Sequence, residues 1–278
     1  MDLRGARPNV RSASNLALRV ESPAMPTESG APVEREEARG TSAIEFSVVI
    51  PAYNEAERLR PSLESALAYF ERTGRRPGSW EIVVVDDGSL DGTAAIAQEF
   101  AARGVRVERY TPNRGKGAAV KAGLLASRGR TVLISDADFS TPIDEVEKLS
   151  ARLVDAEVVI GSRAVSGSDV RERQPFYREW MGKIFNRVIR LAGLRGFRDT
   201  QCGFKLFDGE AARRLAAEMT IDGFAFDVEL LWLALARGYA VAEVGVVWIN
   251  SAASKVHPIR SSLSMLRDLA RIRWRHRG

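Results

Sequence analysis

The chain has 278 residues, 45% hydrophobic and 28% charged, with 41 Lys and Arg against 36 Asp and Glu for a net charge of +5. This is ordinary for a globular protein with a sizeable core, in one large domain or two small ones. It excludes a wholly disordered chain, a collagen-like repeat and a disulfide-stapled mini-protein. Residues 258–278 hold six Arg against Asp268 alone, whereas residues 1–44 and 45–257 each sum to zero. A terminal cluster of this kind suits a polyanion. An anionic membrane surface is the expected partner and nucleic acid is not, since no recognised nucleic-acid module accompanies the charge.

One cysteine, Cys202, cannot form an intramolecular disulfide, so a reducing compartment is the simpler expectation. No stretch approaches the ~18 uncharged apolar residues of a spanning helix, and the N-terminus lacks the compact apolar core of a secretory signal. The expectation is a cytoplasmic protein, peripheral on the cytoplasmic face of a membrane.

Residues 1–44, rich in Pro, Ser, Glu, Arg and Gly without an apolar period, are expected to form a disordered tail ahead of one domain over 45–278. FSVVI (46–50) reads as a buried strand ended by Pro51. Asn54 opens a helix with Leu59, Leu63, Leu67 and Phe70 at helical spacing. EIVVV (81–85) is a second strand, closed by Asp86-Asp87-Gly88-Ser89. Asp91 caps a helix containing Ala95, Ile96 and Phe100, and a third strand covers 105–110. A helix at about 115–127, strand TVLIS (131–135), a helix at 142–153 and strand EVVIG (157–161) continue the alternation. Beyond these lie a basic amphipathic stretch at 171–198, a strand near 203–207, a helix around 224–237, a strand at 240–249 and a basic helix at 259–275. Strand–helix units with continuously apolar strands predict an α/β fold, a mostly parallel sheet flanked by helices, with ligands at the carboxyl ends of the strands.

The candidate chemical residues of the first half fall after strands: Glu55 after the first, Asp86 and Asp87 after the second, Asn113 to Lys116 after the third, Asp136 and Asp138 after the fourth. Any one of these sets suits a turn; four sets on one sheet edge suit a site. Two carboxylates at i and i+2 repel unless a cation or sugar hydroxyls lie between them. Hard divalent cations take oxygen ligands, and Mg²⁺ typically uses one or two carboxylates plus phosphate oxygens. Gly115-Lys116-Gly117 lacks the third glycine of a dinucleotide fingerprint, replaced by Val120, and no Walker A loop is present. With only His257 and His276 in the chain, a Cys-His nucleophile at Cys202 is not expected.

SVVIPAYNE (47–55), VVVDDGS (83–89), NRGKGAAV (113–120) and DADFSTP (136–142) resemble the family 2 inverting glycosyltransferases with the GT-A fold. DTQCGFKLF (199–207), AFDVELL (225–231) and the stretch 255–269 resemble the dolichyl-phosphate β-glucosyltransferases and, more distantly, the dolichol-phosphate mannose synthases. The resemblance implies that Pro51, Tyr53, Glu55 and Asp87 line a uridine pocket with Asp86 near them, and that Lys116 lies by the nucleotide. Asp136 and Asp138 correspond to the D-x-D motif that holds the ribose or sugar and a Mg²⁺ or Mn²⁺. Arg163 matches an arginine placed to meet phosphate, and Asp227 the acidic position where many relatives keep a catalytic base. Ser140 stands where mannose synthases usually carry Gln, and Ala270 where processive polymerases begin Q-x-x-R-W.

The implied reaction moves glucose from UDP-glucose to a polyprenyl phosphate with inversion. The alternatives are another sugar nucleotide (GDP-mannose or UDP-N-acetylglucosamine), a soluble acceptor, or a non-catalytic sugar-nucleotide-binding protein. The stretch 171–198, with eight basic residues against Glu172 and Glu179, would guide the acceptor phosphate; Arg163 and Arg178 are the first candidates. Asp227 and Glu229 stand about 200° apart on a helix, so only one of them is expected to face the site. Leu263, Leu266, Leu269, Ile272 and Trp274 beside Arg267, Arg271, Arg273 and Arg275 suggest an interfacial helix on anionic lipid. The competing reading is a helix packed on the core with its arginines outward.

Overall fold

A computed structural model describes residues 44–171, 187, 189–190, 194, 196–249 and 258–276, with backbone alone over 258–264. The expected tail, most of the basic stretch and Arg178 lie outside the described residues. The strands are β1 (Phe46–Ala52), β2 (Trp80–Asp87), β3 (Val105–Tyr110), β4 (Thr131–Ile134), β5 (Val158–Ser162), β6 (Asp169–Arg171), β7 (Lys205–Asp208), β8 (Val241–Gly245) and β9 (Val247–Ile249). The α-helices are α1 (Ala56–Arg72), α2 (Thr93–Glu99), α3 (Lys116–Ala126), α4 (Val146–Leu153), α5 (Gly209–Glu218), α6 (Phe226–Ala236) and α7 (Pro258–Arg275).

Seven strands form one sheet in the order β3-β2-β1-β4-β7-β5-β8, all pairs parallel except those of β7 with β4 and β5. β6 and β9 form a separate parallel pair. Every residue of β1 is buried, as a sheet covered on both faces requires. Its side chains alternate between two cores. Val49 packs with α3, α5, α6 and α7 through Val120, Leu215, Leu231 and Ile272. Val48 and Ile50 pack with α1 and α4 through Leu59, Leu63, Leu67, Phe70 and Leu149.

Several boundaries differ from the sequence expectation. β1 runs through Pro51, paired with Val85. The Val49 carbonyl accepts from Ser135 N–H on the β4 side, and the β4 pairing ends at Val49, so Pro51, with no N–H to donate, stands where that ladder stops. Asn54 does not open α1; it holds a left-handed φ of 55° and the helix starts at Ala56. The segment at 142–153 begins as a 3₁₀ turn over Ile143–Glu145 before α4. The single strand expected at 240–249 is two, β8 in the main sheet and β9 outside it. A Cβ on Gly245 would lie 2.6 Å from the Gly167 carbonyl carbon, so the break falls where only glycine fits. α5 was not anticipated; Asp208 caps it by accepting from Glu210 N (3.0 Å) and Ala211 N (3.1 Å).

α7 spends much of its apolar stripe on the core. Met265, Leu269 and Ile272 are buried there, while Leu266, Arg267, Arg271 and Trp274 face outward. The packed reading therefore holds for Leu269 and Ile272, and only Leu266 and Trp274 remain for a surface; the Leu263 side chain lies outside the described residues. Among the described residues no helix is long and apolar enough to cross a membrane.

At the opposite edge of the sheet from the strands' carboxyl ends, Glu81 is 2% exposed and joins several elements. It accepts from Ser47 Oγ on β1 (2.8 Å), Arg106 Nη1 on β3 (2.8 Å), and Arg128 N and Nη2 ahead of β4 (2.7 and 2.8 Å). Burial pushes its carboxyl up, but Arg128, Arg106 and Ser47 outweigh burial and hold it below the ordinary 4.5. A depressed carboxyl contributes stability that is complete above pH 4.5 and is lost as the pH falls through the folded-state value. Glu81→Gln is expected to lower the unfolding free energy near neutral pH by about 2 kcal/mol and to shrink the loss on acidification. Urea melts of both proteins across pH check this; coincident midpoints would contradict it.

Candidate active site

β1 and β2 stay paired to Ala52 and Asp86, and the segments that follow them are joined by side chains. Asn54 donates its N–H to Ser89 Oγ (2.9 Å) and accepts Leu90 N–H on Oδ1 (2.8 Å). Glu55 N–H donates to Thr93 Oγ1 (2.8 Å), and Asp91 accepts from both Ala56 N (3.2 Å) and Thr93 N (3.0 Å), serving the first turns of α1 and α2 together. Pro51 is buried within β1 and Tyr53 is 41% exposed just after it. The Glu55 carboxylate grips Arg58, one turn on, at 2.6 and 2.7 Å.

Asp86 is fully buried. Its Oδ1 takes Ser89 N–H (2.9 Å); its Oδ2 lies 3.0 Å from Arg109 Nε at an angle that makes no hydrogen bond, leaving a buried acceptor without a donor among the described residues. Asp87 is occupied differently. Asn113 Nδ2, Arg114 N and Gly115 N all donate to it at 2.8 Å, so it fixes the 113–115 loop.

That loop delivers Lys116, the first residue of α3. The glycines on either side serve close backbone approach: a Cβ on Gly115 would lie 2.4 Å from Asp222 O and one on Gly117 2.2 Å from Ile221 O. Gly115 also takes φ +115°, which L side chains rarely adopt. Lys116 Nζ donates to Asp136 Oδ1 and stands 5.8 Å from the Phe226 ring centroid. Burial pushes the Asp136 carboxyl up, but Lys116, with Lys205 and Arg163 beyond it, holds it below the ordinary range. A Cβ on Gly203 would meet Asp136 Oδ2 at 2.3 Å, so DTQCGFKLF supplies the space in which this carboxylate sits.

Asp138 accepts from Ser140 N (3.0 Å) and Ser140 Oγ (2.9 Å) on Oδ1 and from Arg58 Nη1 (3.2 Å) on Oδ2. Between the two aspartates and Ser140, Phe139 holds a φ of 43°, an outlier for a bulky residue of the sort that collects at functional sites. A cleft of about 340 Å³ opens beside them, lined by Glu57, Arg58, Ser62, Asp138 and Phe139.

Asp227, in the first turn of α6, is buried against Lys205 Nζ at 2.5 Å, and Lys205 also donates to the Cys202 carbonyl. Burial raises the Asp227 carboxyl above its ordinary value even though Lys205 and Lys116 pull it down. Glu229 points elsewhere, to Thr220 and Ile221, as the helical angle predicts. Arg163 is held by the Asp199 carboxylate through Nε (2.7 Å) and Nη2 (2.9 Å) and lies 5.5 Å from the Trp248 ring centroid. Burial raises the Asp199 carboxyl, and Arg163 more than reverses this. Thus Asp136, Asp138, Asp227 and Arg163 form a series of acid–base pairs, with Asp86 and Asp87 as the last two residues of neighbouring β2 rather than in the loop after it.

The partners Arg58, Asp199, Lys205, Trp248 and Gly203 were not singled out in the sequence. Two carried a signal: Arg58 stands three residues after Glu55 on a helix, and Lys205 interrupts the apolar run GFKLF, where an unpaired charge would be costly. Among the described residues no set of three or more His, Cys, Asp or Glu is grouped to hold a metal.

The glycosyl transferase family 2 profile matches residues 47–216. The chain is 42% identical over 242 residues to a dolichyl-phosphate beta-glucosyltransferase of Trichomonas vaginalis, covering 83% of this chain and 71% of that protein. It is 38% identical over 245 residues to the human dolichyl-phosphate beta-glucosyltransferase, covering 84% and 76%. Among solved structures it resembles glucosyl-3-phosphoglycerate synthase of Mycobacterium tuberculosis in complex with UDP, with a TM-score of 0.62 at 20% identity, covering 89% and 86%. The same synthase with Mn²⁺, UDP-glucose and phosphoglyceric acid superposes with a TM-score of 0.61 at 20% identity, covering 89% and 86%. The last two likenesses establish the fold, the GT-A arrangement.

The Lys205–Asp227 pair is buried on both sides, so losing one partner strands the other. Lys205→Met is expected to destabilise by about 3–5 kcal/mol, and Lys205→Met with Asp227→Leu to recover most of that loss. Chemical denaturation of the single and double variants checks this; equal losses would contradict it.

Proposed function

The chain belongs to glycosyl transferase family 2 and is a glycosyltransferase; from that premise we propose that it moves glucose from UDP-glucose to a polyprenyl phosphate of the dolichyl type, inverting the anomeric carbon. The observation that carries this reading is the cluster at the carboxyl edge of the sheet, where carboxylates 136 and 138 stand with Lys116 and Arg58 upon them. It sits in a chain whose relatives are dolichyl-phosphate beta-glucosyltransferases over more than four-fifths of its length.

In this reading Pro51, Tyr53, Glu55 and Asp87 line the uridine pocket with Asp86 near them, and Asp87 also keeps the 113–115 loop folded beside it. Lys116 offers its ammonium to the diphosphate. Two carboxylates at i and i+2 suit a hard divalent cation that takes its other ligands from phosphate and water. Asp138 and Asp136 would hold a Mg²⁺ or Mn²⁺, which would supply Lewis-acid stabilisation of the charge building on the leaving UDP. Arg58 and Lys116 neutralise the same carboxylates when the donor is absent.

The acceptor's phosphate oxygen forms the new bond to the anomeric carbon as the bond from that carbon to the UDP oxygen breaks, its electron pair leaving with UDP. A phosphate monoester has a second pKa near ~6 and is already largely ionised at neutral pH, so little general-base help is needed. Asp227, tied to Lys205, then serves to hold that ammonium facing the site. Arg163, fixed by Asp199, meets the acceptor phosphate through a guanidinium of set orientation, and Arg178, outside the described residues, is proposed as a second phosphate-binding arginine. The outer face of α7, with Leu266, Arg267, Arg271 and Trp274, rests on anionic lipid at the cytoplasmic face of the membrane that supplies the acceptor.

Purified protein with UDP-glucose and Mg²⁺ or Mn²⁺ is expected to release UDP only when a polyprenyl phosphate is present, and to stop when a chelator is added. Asp138→Ala is expected to lower kcat/KM by about 100-fold or more. Turnover surviving that substitution would remove Asp138 from the reacting centre, and full turnover with a soluble phosphate alone would remove the lipid acceptor.

A further inference from the structure

Glu229 is completely buried on α6, yet it points away from the reacting pairs. Its two oxygens accept from Thr220 N (3.0 Å to each), Thr220 Oγ1 (2.7 Å) and Ile221 N (2.9 Å), and His276 Nε2 at the end of α7 lies 3.1 Å from Oε1. The segment it grips, 220–223, is pressed on the start of α3. Asp222 O accepts from Gly117 N (2.7 Å) and Ala118 N (3.2 Å), supplying the cap that no side chain gives this helix. Lys121 Nζ donates to Met219 O (2.7 Å) one residue earlier in the chain. The glycines flanking Lys116 have no room for a Cβ because of the same segment. On its other side, a Cβ on Gly223 would reach Asp268 Oδ2 of α7 at 3.4 Å.

Lys116 thus owes its position to a strap, and the strap owes its position to one carboxylate that also receives α7. We infer that Glu229 is a positioning residue for Lys116: it holds the 220–223 segment against the first turn of α3 and so fixes the ammonium that meets the donor diphosphate. This rests on the reading of Lys116 as a donor-site group. A buried carboxylate accepting several donors has a single geometry, and α3 carries Lys116 at its first position, where a small shift of the cap moves the whole side chain. The seating of α7 becomes part of the same arrangement through His276 and Asp268.

UDP affinity, measured by calorimetry on the full chain with Mn²⁺, tests this in a cycle of Glu229→Gln, Lys116→Met and the double variant. Glu229→Gln is expected to weaken UDP binding roughly tenfold, the loss carried by one or two hydrogen bonds to a charged group, and to have almost no effect once Lys116 is Met. Thr220→Val, which removes one donor and leaves Glu229 in place, shows the same dependence on Lys116 at smaller amplitude and serves if Glu229→Gln does not fold. Equal losses with and without Lys116, or unaltered UDP binding in Glu229→Gln and Thr220→Val, would overturn the inference. A wild-type protein that binds UDP but transfers no glucose would count against the proposed function alone. A wild-type protein that binds no UDP would count against both.

Discussion

A carboxylate withdrawn from water needs a cation or several hydrogen-bond donors, and the candidate site is organised by that requirement. Lys116 meets Asp136, Lys205 meets Asp227, Arg163 meets Asp199, and Arg58 bridges Glu55 and Asp138. Apart from Arg58–Glu55, one helical turn apart, each pair joins elements distant in sequence, so the charges also set how the loops lie. Lys116 brings α3 to the end of β4, Lys205 brings β7 to α6, and Arg58 brings α1 to the loop after β4. The acids hold these cations in place, and under the proposed function the cations would meet a dianionic donor and an anionic acceptor. A ligand that displaces one half of a pair meets a partner already oriented.

The sheet places these pairs on one edge. β1, β2 and β4 end together because they run parallel, and β7 enters between β4 and β5 in the opposite sense. Its reversed direction brings Gly203 under Asp136 and Lys205 under Asp227 from the same short segment. A parallel strand in that slot would have presented its other end. The run DTQCGFKLF is therefore compact for a geometric reason: Asp199, Gly203 and Lys205 each serve a different residue of the site.

Much of the first half was legible in the sequence because its signals are local. Apolar runs of strand length, Leu59, Leu63 and Leu67 at helical spacing, and carboxylates at the carboxyl ends of strands survive in the structure, although Asp86 and Asp87 close β2 instead of following it. What was not legible depends on contacts between distant segments. The antiparallel entry of β7 leaves no mark on its own residues. VAEVGVVWI reads as one strand although it serves two sheets, and only Gly245 hints at the break. Gly115 and Gly117 resemble part of a phosphate-binding fingerprint, yet their lack of a side chain admits the 220–223 segment. The stripe on α7 was likewise ambiguous, because an amphipathic helix looks the same whether its apolar face meets lipid or a core; Leu269 and Ile272 meet the core. Five of the six terminal arginines behind the net charge of +5, Arg260, Arg267, Arg271, Arg273 and Arg275, consequently stand on a helix held by the domain, with Arg267 and Arg271 exposed.

Chemical identification of the transferred product tests the proposed activity most directly. Purified protein incubated with labelled UDP-glucose, divalent metal and dolichyl phosphate is predicted to yield a lipid-linked glucose whose anomeric configuration, read by nuclear magnetic resonance, is β. An α-linked product would contradict inversion. The absence of any lipid-linked sugar, with label appearing instead on a soluble acceptor, would contradict the assignment of polyprenyl phosphate as the acceptor.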